Sequence, residues 1–466
     1  MTCPTLHVIV TLSAVLVGAM DEQELQALKG QVSQLYERNM VIADGRRYHA
    51  PSLGPWAERR RRGGLQGWAW GLAWGLAAPF TVRYPHQWFW DSCAHAIALS
   101  HLDADLAWAE IGSLLALQRE DGFIPHMAWN PAWKLWRDAA ISLLYANPMG
   151  SPYVQPPNLA RAVELVYERA DGGDELRRSL PGVAEYYDYL DATRNIDGDG
   201  LLVIVHPYES GRDRAPEFDE VLRASTARTA WPLFRLLIHH RMARWRWDAI
   251  LARSRFLVKE TLFNCVYAQN LASLARLLAM AGQPQESERF HRRALQTETA
   301  ISGKMFDGSA GLAWSLDRGR GDRPLRARTL ACLMPLLLET IEEAAVERLL
   351  GHLCDPREFW LPYPAPAALQ GPGLASAHAI WRGPQTWLYT NWFLMDGLHR
   401  QARRFPNMKD RLMNTAGEIA ERSHALVRQE GFREYYDSYD GRGGGARDMG
   451  WSALVLDMMV RTAGGA

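Results

Sequence analysis

Lysine is scarce in this chain: five of its 52 basic residues are lysine, so arginine carries nearly all the positive charge. Acidic residues also number 52 and the formal net charge is zero. That balance leaves neither a basic footprint for nucleic acid nor an acidic solvating tail. Cysteine is sparse as well. Cys3, Cys93, Cys265, Cys332 and Cys354 are widely spaced and form no Cys-x-x-Cys pair. They suggest neither a disulfide framework nor a zinc knuckle, and a reducing compartment, the cytoplasm, suits them best. Long apolar runs are missing beyond the N-terminus. Leu6 to Met20 is apolar and ends in small residues, but no Lys or Arg precedes it and it lacks an Ala-x-Ala cleavage pattern. It is also short for a membrane span. We read residues 1–20 as an apolar extension that leaves secretion open, ahead of a single domain over 21–466. Repeats of 34 or 40 residues are absent, which argues against tetratricopeptide and HEAT arrays.

What remains is helix. The segments 21–40, 91–118, 158–169, 173–192, 217–254, 258–281, 284–300, 325–352, 386–404, 408–428 and 450–462 place apolar residues three and four apart. Several are long enough for two helices. Strand-like alternation is confined to Leu201–Val205, and Gly and Pro punctuate the gaps. Residues 53–78 hold the basic run Arg59–Arg62 and the tryptophans Trp68, Trp70 and Trp74. They read as a long loop or short accessory element, with a tryptophan lid over a sugar as the sharper alternative. About a dozen helices joined by informative loops predict an all-α fold. We expect an (α/α)6 barrel, a toroid of paired helices whose long loops build a pocket at one end.

Five loop constellations could carry chemistry. In the first, Tyr84 to Asp91, Asp91 stands at a helix start beside Trp88 and Trp90. Its carboxylate either caps the helix or holds sugar hydroxyls beneath a stacking platform. In the second, Asp121-Gly122 is a structural turn, while His126 is either a satisfied loop histidine or a ligand contact. The third, His206-Pro-Tyr-Glu209-Ser-Gly-Arg-Asp213-Arg-Ala-Pro-Glu217-Phe-Asp219, packs four acids and two arginines into fourteen residues. Such a mixture can split two carboxyls into one neutral and one ionised group. Helix-start acids explain Glu217 and Asp219 well and Asp213 less well. In the fourth, Trp381-Arg-Gly-Pro384 exposes an indole and the Arg382 guanidinium at a helix mouth. In the fifth, Glu434 lies in an aromatic loop before Gly443-Gly-Gly445, and the glycine run predicts no regular element there. A surface loop with paired charges is the bland alternative for Glu434.

Taken together these segments resemble the bacterial and plant branch of glycoside hydrolase family 63, above all its mannosylglycerate and glucosylglycerate hydrolases. The resemblance rests on an ordered set of motifs over residues 80–462. They are Gln-Trp-x-Trp-Asp-Ser at 87–92, Asp-Gly-x-x-Pro-His at 121–126, Gln-Pro-Pro at 155–157 and His-Pro-aromatic-Glu-Ser-Gly-x-Asp at 206–213. Trp-Arg-Gly-Pro at 381–384 and Phe-x-Glu-Tyr-Tyr at 432–436 complete the set. It implies the (α/α)6 barrel and an inverting, exo-acting α-glycosidase with Asp213 as general acid and Glu434 as general base. It further implies that Tyr84, Trp90 and Asp91 bind the non-reducing sugar, with Gln155, Trp381 and Arg382 lining the same pocket. His126, Glu209 and Tyr435, inside the same motifs, are added as substrate contacts. No metal or organic cofactor is implied, and the partner is a small carbohydrate rather than nucleic acid or membrane; homo-oligomerisation is left open. The chain departs from the family where Tyr208 replaces a usual Trp and where Arg212 and Arg214 flank Asp213. Guanidiniums pointing inward would depress the acid's pKa; they could instead face solvent or meet an anionic leaving group such as glycerate. Two alternatives stay open: a trehalase-like or debranching-type α-glucosidase, and an inactive sugar-binding toroid.

Overall fold

The computed structural model describes residues 20–53, 84–131, 142–170, 172–226, 230–369 and 380–464. The apolar run before Met20 and almost all of the tryptophan-rich 53–78 segment lie outside the described residues. Among those described, twelve helical segments alternate between an outer and an inner ring. The outer ring comprises α1 (Glu22–Asn39), α3 (Ala104–Leu115), α5 (Gly173–Arg194), α7 (Pro284–Ala300), α8 (Glu343–Leu353) and α10 (Lys409–Glu430). The inner ring comprises α2 (Phe89–Leu99), α4 (Leu159–Ala170), α6 (Thr261–Met280), a 3-10 segment (Leu330–Leu337), α9 (Leu388–Arg404) and α11 (Leu454–Ala463). Each inner segment touches the next and α11 returns to α2, so the ring closes into an (α/α)6 toroid.

The two rings differ in sequence because they differ in burial. Every residue of α2 and of Leu330–Leu337 is buried. By contrast α7 and α10 keep a polar outer face, as amphipathic helices on a surface must. The predicted segment 91–118 resolves into α2 and α3, and 325–352 into the 3-10 segment and α8. The long 217–254 prediction breaks into three short helices, Phe218–Leu222, Trp231–Met242 and Trp247–Arg253, set in the excursion between α5 and α6. None of the described helices is long and apolar enough to cross a membrane. Cys93, Cys265, Cys332 and Cys354 are free thiols.

Two expectations need correction. Strand is more widespread than Leu201–Val205 suggested, and that segment contributes only the bridge between Ile204 and Val258. Among the described residues, five small antiparallel sheets of two or three strands sit among the loops. Their strands run two to five residues, too short for a period of two to stand out. Nor does the glycine run exclude regular structure. Gly443–Arg447 pairs with Arg433–Asp437, which pairs in turn with Gln385–Thr386. Glycines suit this strand because the side chains of Arg433, Tyr435 and Glu434 lie across it, where Cβ atoms would collide.

A ring of buried helices must also satisfy the polar groups on its axis. Arg161 of α4 reaches across to Asp396 of α9 at 2.8 Å. Gln269 of α6 donates to the same carboxylate at 2.6 Å, and Arg461 of α11 lies 2.9 Å from it. Burial pushes the Asp396 pKa up, but the guanidiniums of Arg161, Arg461 and Arg400 outweigh it and hold the carboxyl well below its usual range. Removing one partner of a buried pair strands the other. Asp396→Ala should therefore cost about 3–5 kcal/mol, read as a lowered denaturation midpoint; a loss under about 1 kcal/mol, the scale of a surface pair, would refute the axial role.

Candidate active site

The connectors differ sharply between the two ends of the toroid. From inner to outer helices they are short, as at 100–103 and 281–283. From outer to inner they are long, as at 116–158, 195–260 and 431–453. The long connections gather at one end, where the inner helices begin. All five constellations lie on them or at the first turns they lead into.

Glu434 sits on the strand Arg433–Asp437 and is buried. Opposite it the register shifts, so that Gly445 and Ala446 together face one residue. Gly445 has φ +66°, the conformation a glycine supplies at the first position of such a bulge. The bulge aims the Ala446 N–H at Glu434 Oε2, 2.8 Å away. The Tyr84 hydroxyl donates to Oε1 at 2.8 Å, and the Trp451 indole N–H holds the Glu434 carbonyl at 3.1 Å. Burial pushes the Glu434 pKa up, while the Ala446 amide, the Tyr84 hydroxyl and the Arg433 charge pull it back.

Asp213 follows a 3-10 turn, Pro207–Ser210, whose start is capped by His206 Nδ1 accepting the Tyr208 N–H at 3.1 Å. Gly211, at φ +68°, then lets the chain press against the ring of Trp90, where a Cβ would come within 2.6 Å. Asp213 is half-buried. Burial raises its pKa to about 7, against the opposing pull of Arg214 and with a further push from Glu434. A carboxyl in that range can donate a proton near neutrality. The flanking arginines behave differently from each other. Arg212 is fully buried and points away, into Glu217 and Glu260. Arg214 stays half-buried beside the acid and lowers its pKa, but burial wins.

Asp91 lies in the first turn of α2, yet its side chain does not cap the helix. Its Oδ1 is buried with no hydrogen-bond partner among the described residues. Burial, opposed by its own backbone N–H and the Trp90 side chain, and the nearby charges of Glu434 and Glu110 raise its pKa well above the usual carboxylate value. Burial also raises the pKa of Tyr84, and Glu434, Asp213 and Asp91 all add to that shift. Three carboxyls thus act on one phenol, which places Glu434, Asp213 and Asp91 around Tyr84.

Aromatic rings pack together beside these carboxyls. Trp90 lies 4.8 Å from Tyr389, 5.9 Å from Trp451 and 6.5 Å from Trp381, between ring centres. Trp381 stacks on Trp387 at 3.6 Å, and Tyr435 covers Trp387 from 4.9 Å. Gln155 accepts the Trp90 N–H at 3.1 Å through its carbonyl oxygen. His126 is buried between Trp88 and Tyr208; its Nδ1 has no partner among the described residues, and burial lowers its pKa to about 3.

Two predicted contacts are employed elsewhere. Glu209 is fully buried and accepts from Arg194 at 2.7 Å and from the Val205 N–H at 2.8 Å, so it braces the acid loop rather than facing a ligand. Arg382 is locked against both oxygens of Asp219, at 3.0 and 2.6 Å, and donates to the Arg214 carbonyl at 2.8 Å. The helix-start function expected of Asp219 becomes a clamp on that guanidinium. Asp121 is structural as expected: it accepts from Arg119 at 3.0 Å and from the Phe123 N–H at 3.2 Å. Sequence reasoning missed Tyr145, which feels the charge of Asp213 although it stands in no motif. It also missed Trp387 and Trp451, which stand close to motifs that give them no role.

Asp197, Asp199 and Asp322 are close enough to share a metal ion. The buried Lys259 ammonium already sits among them, 2.8–2.9 Å from each. That trio therefore reads as a lysine cage.

Gly445→Ala tests the bulge. A methyl there meets Glu434 within 2.6 Å of its Cβ and is strained at positive φ. We expect kcat to fall by at least about 100-fold with the fold retained, since small misplacements cost that much; normal turnover would show that Glu434 needs no such support.

The protein-family profile for the mannosylglycerate hydrolase MGH1-like glycoside hydrolase domain matches residues 84–452. The chain is 30% identical over 424 residues to a mannosylglycerate hydrolase of Rubrobacter radiotolerans, covering 81% of this chain and 91% of that one. It is 28% identical over 425 residues to a mannosylglycerate hydrolase of Thermus thermophilus, covering 83% and 97%. Among solved structures, a family 63 mannosylglycerate hydrolase from another strain of Thermus thermophilus, in complex with glucose, superposes with a TM-score of 0.71 at 25% identity, covering 93% of this chain and 99% of that one.

Proposed function

Because this chain belongs to the mannosylglycerate hydrolase MGH1-like glycoside hydrolase family and is a glycoside hydrolase, we propose that it cleaves a small α-glycoside of glycerate, with inversion, using Asp213 as general acid and Glu434 as general base. Mannosylglycerate is the first candidate, since the relatives named above are hydrolases of that compound, and glucosylglycerate is the second.

The observation that carries this reading is the contrast between the two carboxyls. Asp213 has a pKa near 7 and accepts no hydrogen bond from another described residue, so it keeps its proton for the glycosidic oxygen. Glu434 accepts from Tyr84 and Ala446, and both bonds favour its ionised form. In the proposed step Glu434 takes a proton from water as the water attacks the anomeric carbon. The bond to the leaving oxygen breaks and Asp213 protonates that oxygen. The unpartnered Asp91 Oδ1 would accept a sugar hydroxyl, with Trp90 beneath the ring. Groups near the acid, as opposed to the base, face the leaving group. These are Tyr208, Tyr145 and Arg214, each in the electrostatic range of Asp213. Arg214 makes no ion pair among the described residues, and its hydrogen bond to the Thr226 carbonyl is long, 3.4 Å. A half-buried guanidinium so placed suits a carboxylate on the leaving group.

Three experiments test this. Asp213→Asn and Glu434→Gln should each lower kcat by several orders of magnitude while the protein stays folded and binds sugar, and the first product should be the inverted anomer. In the wild type kcat/KM should fall as pH rises through about 7, where Asp213 loses its proton, and should fall again on the acid side as Glu434 becomes protonated. A retained anomer, or near-normal activity of either variant, would overturn the assignment. Arg214→Gln should raise KM for the glycerate glycoside by about 10-fold or more, the worth of one charge-assisted hydrogen bond, and leave a glycerol glycoside, lacking the carboxylate, unaffected. Equal losses on both would remove Arg214 from the leaving-group site.

A further inference from the structure

Resting on the assignment of Asp213 as the acid, we propose that Arg212 is its positioning residue: a buried guanidinium bolts the acid loop to the mouths of two inner segments. Asp213 has no side-chain hydrogen bond to another described residue to hold it, so the backbone on either side must fix where its carboxyl points. On one side Gly211 rests on the Trp90 ring. On the other side Arg212 is completely buried. Its guanidinium pairs with Glu260 and Glu217 and reaches the Thr329 hydroxyl at 3.4 Å.

Those partners are well chosen as anchors. Glu260 caps α6, its Oε2 accepting the Phe263 N–H at 2.5 Å. Thr329 immediately precedes the inner segment Leu330–Leu337. Glu217 opens the short helix Phe218–Leu222, the next turn of the acid loop itself. One planar guanidinium thereby ties the residue beside the acid to two walls of the ring, a task the single point charge of a lysine fits poorly.

The arrangement is expensive for a purely structural device. Two carboxylates face one guanidinium, all three nearly free of solvent, and both Arg212 Nε and Glu217 Oε2 lack partners among the described residues. Apolar side chains of similar size would fill such a site at no desolvation cost. Direction, rather than cohesion, is what the ions add. The acid needs direction because its proton must meet one oxygen.

The experiment separates positioning from general damage through the leaving group. A glycerate leaves as an alkoxide and needs the proton. Fluoride leaves from an α-glycosyl fluoride of the same hexose as a stable anion and does not. Arg212→Met is expected to lower kcat on the glycerate glycoside by about 100-fold, with KM little changed, while fluoride turnover changes by less than about 3-fold, within the context scatter of a single interaction. Arg212→Lys should fall between the two enzymes. The alkaline limb of the pH profile should shift in Arg212→Met, because the acid's surroundings change. Glu260→Gln keeps an oxygen for the Phe263 cap and serves if Arg212→Met does not fold; it should show the same selectivity, smaller in size. Parallel losses on both substrates, in a protein whose melting curve is intact, would overturn the proposal and leave Arg212 a structural group. Asp213→Asn is the reference: it must spare the fluoride. If it does not, the acid assignment fails and this inference falls with it, an outcome distinct from failure of the Arg212 variants alone.

Discussion

An ion pair across the axis of the ring, Arg161 to Asp396, is the interaction on which this architecture turns. The two residues stand on inner helices three places apart in a ring of six, hence on opposite walls. Gln269 and Arg461 bring two further inner helices to the same carboxylate. A toroid of apolar helices has a packing difficulty at its centre, where side chains from six directions converge. Charged groups that must satisfy one another admit fewer arrangements than interchangeable methyl groups. With the axis filled in this way, the opposite end can stay open without the ring collapsing into it.

The open end then inherits a favourable field. Inner helices begin there, so their unpaired N–H groups and the positive ends of their dipoles face the pocket. Carboxyls gather in that place. Asp91 lies in the first turn of α2 and Glu260 caps α6, while Asp213 and Glu434 come in on loops. The same crowding that keeps water out makes each acid reluctant to ionise. The protein differentiates them by what it lets them touch. Glu434 is given two donors and Asp213 none from another described residue, so two residues with similar intrinsic acidity differ in what steadies their ionised form.

Much of this was legible in the sequence. The three- and four-residue spacing found the inner and outer helices of the ring, and the motif order placed Asp91, Asp213 and Glu434 at one end of it. Other features were hidden for identifiable reasons. The strand carrying Glu434 was masked because its partner is glycine-rich, and a glycine run reads as a turn until the side chains lying across it are known. The fates of Arg212 and Arg214 could not be separated by position, since residues two apart in an irregular loop have no fixed relation of direction. Glu209 and Arg382 were expected as ligand contacts from the motifs that hold them, yet each meets a counter-charge outside its motif, Arg194 and Asp219. Tyr145 reaches the acid only through the tertiary fold, and nothing around it in the chain announces that.

The histidines near the pocket carry a last implication. His126, His206 and His240 are buried so deeply that their pKa values fall to about 3. They carry no charge at neutral or mildly acidic pH, although imidazole is the side chain that most often senses that range. His240 accepts or donates to Tyr153 at 2.9 Å, and His206 spans from Tyr208 to the Leu233 carbonyl. They serve as rigid, uncharged spacers. A drift of one unit of acidity would therefore leave these imidazoles uncharged and the contacts they make unaltered, and would act on the carboxyls around them instead, so that acidification reaches this end of the ring as a titration and not as a change of shape.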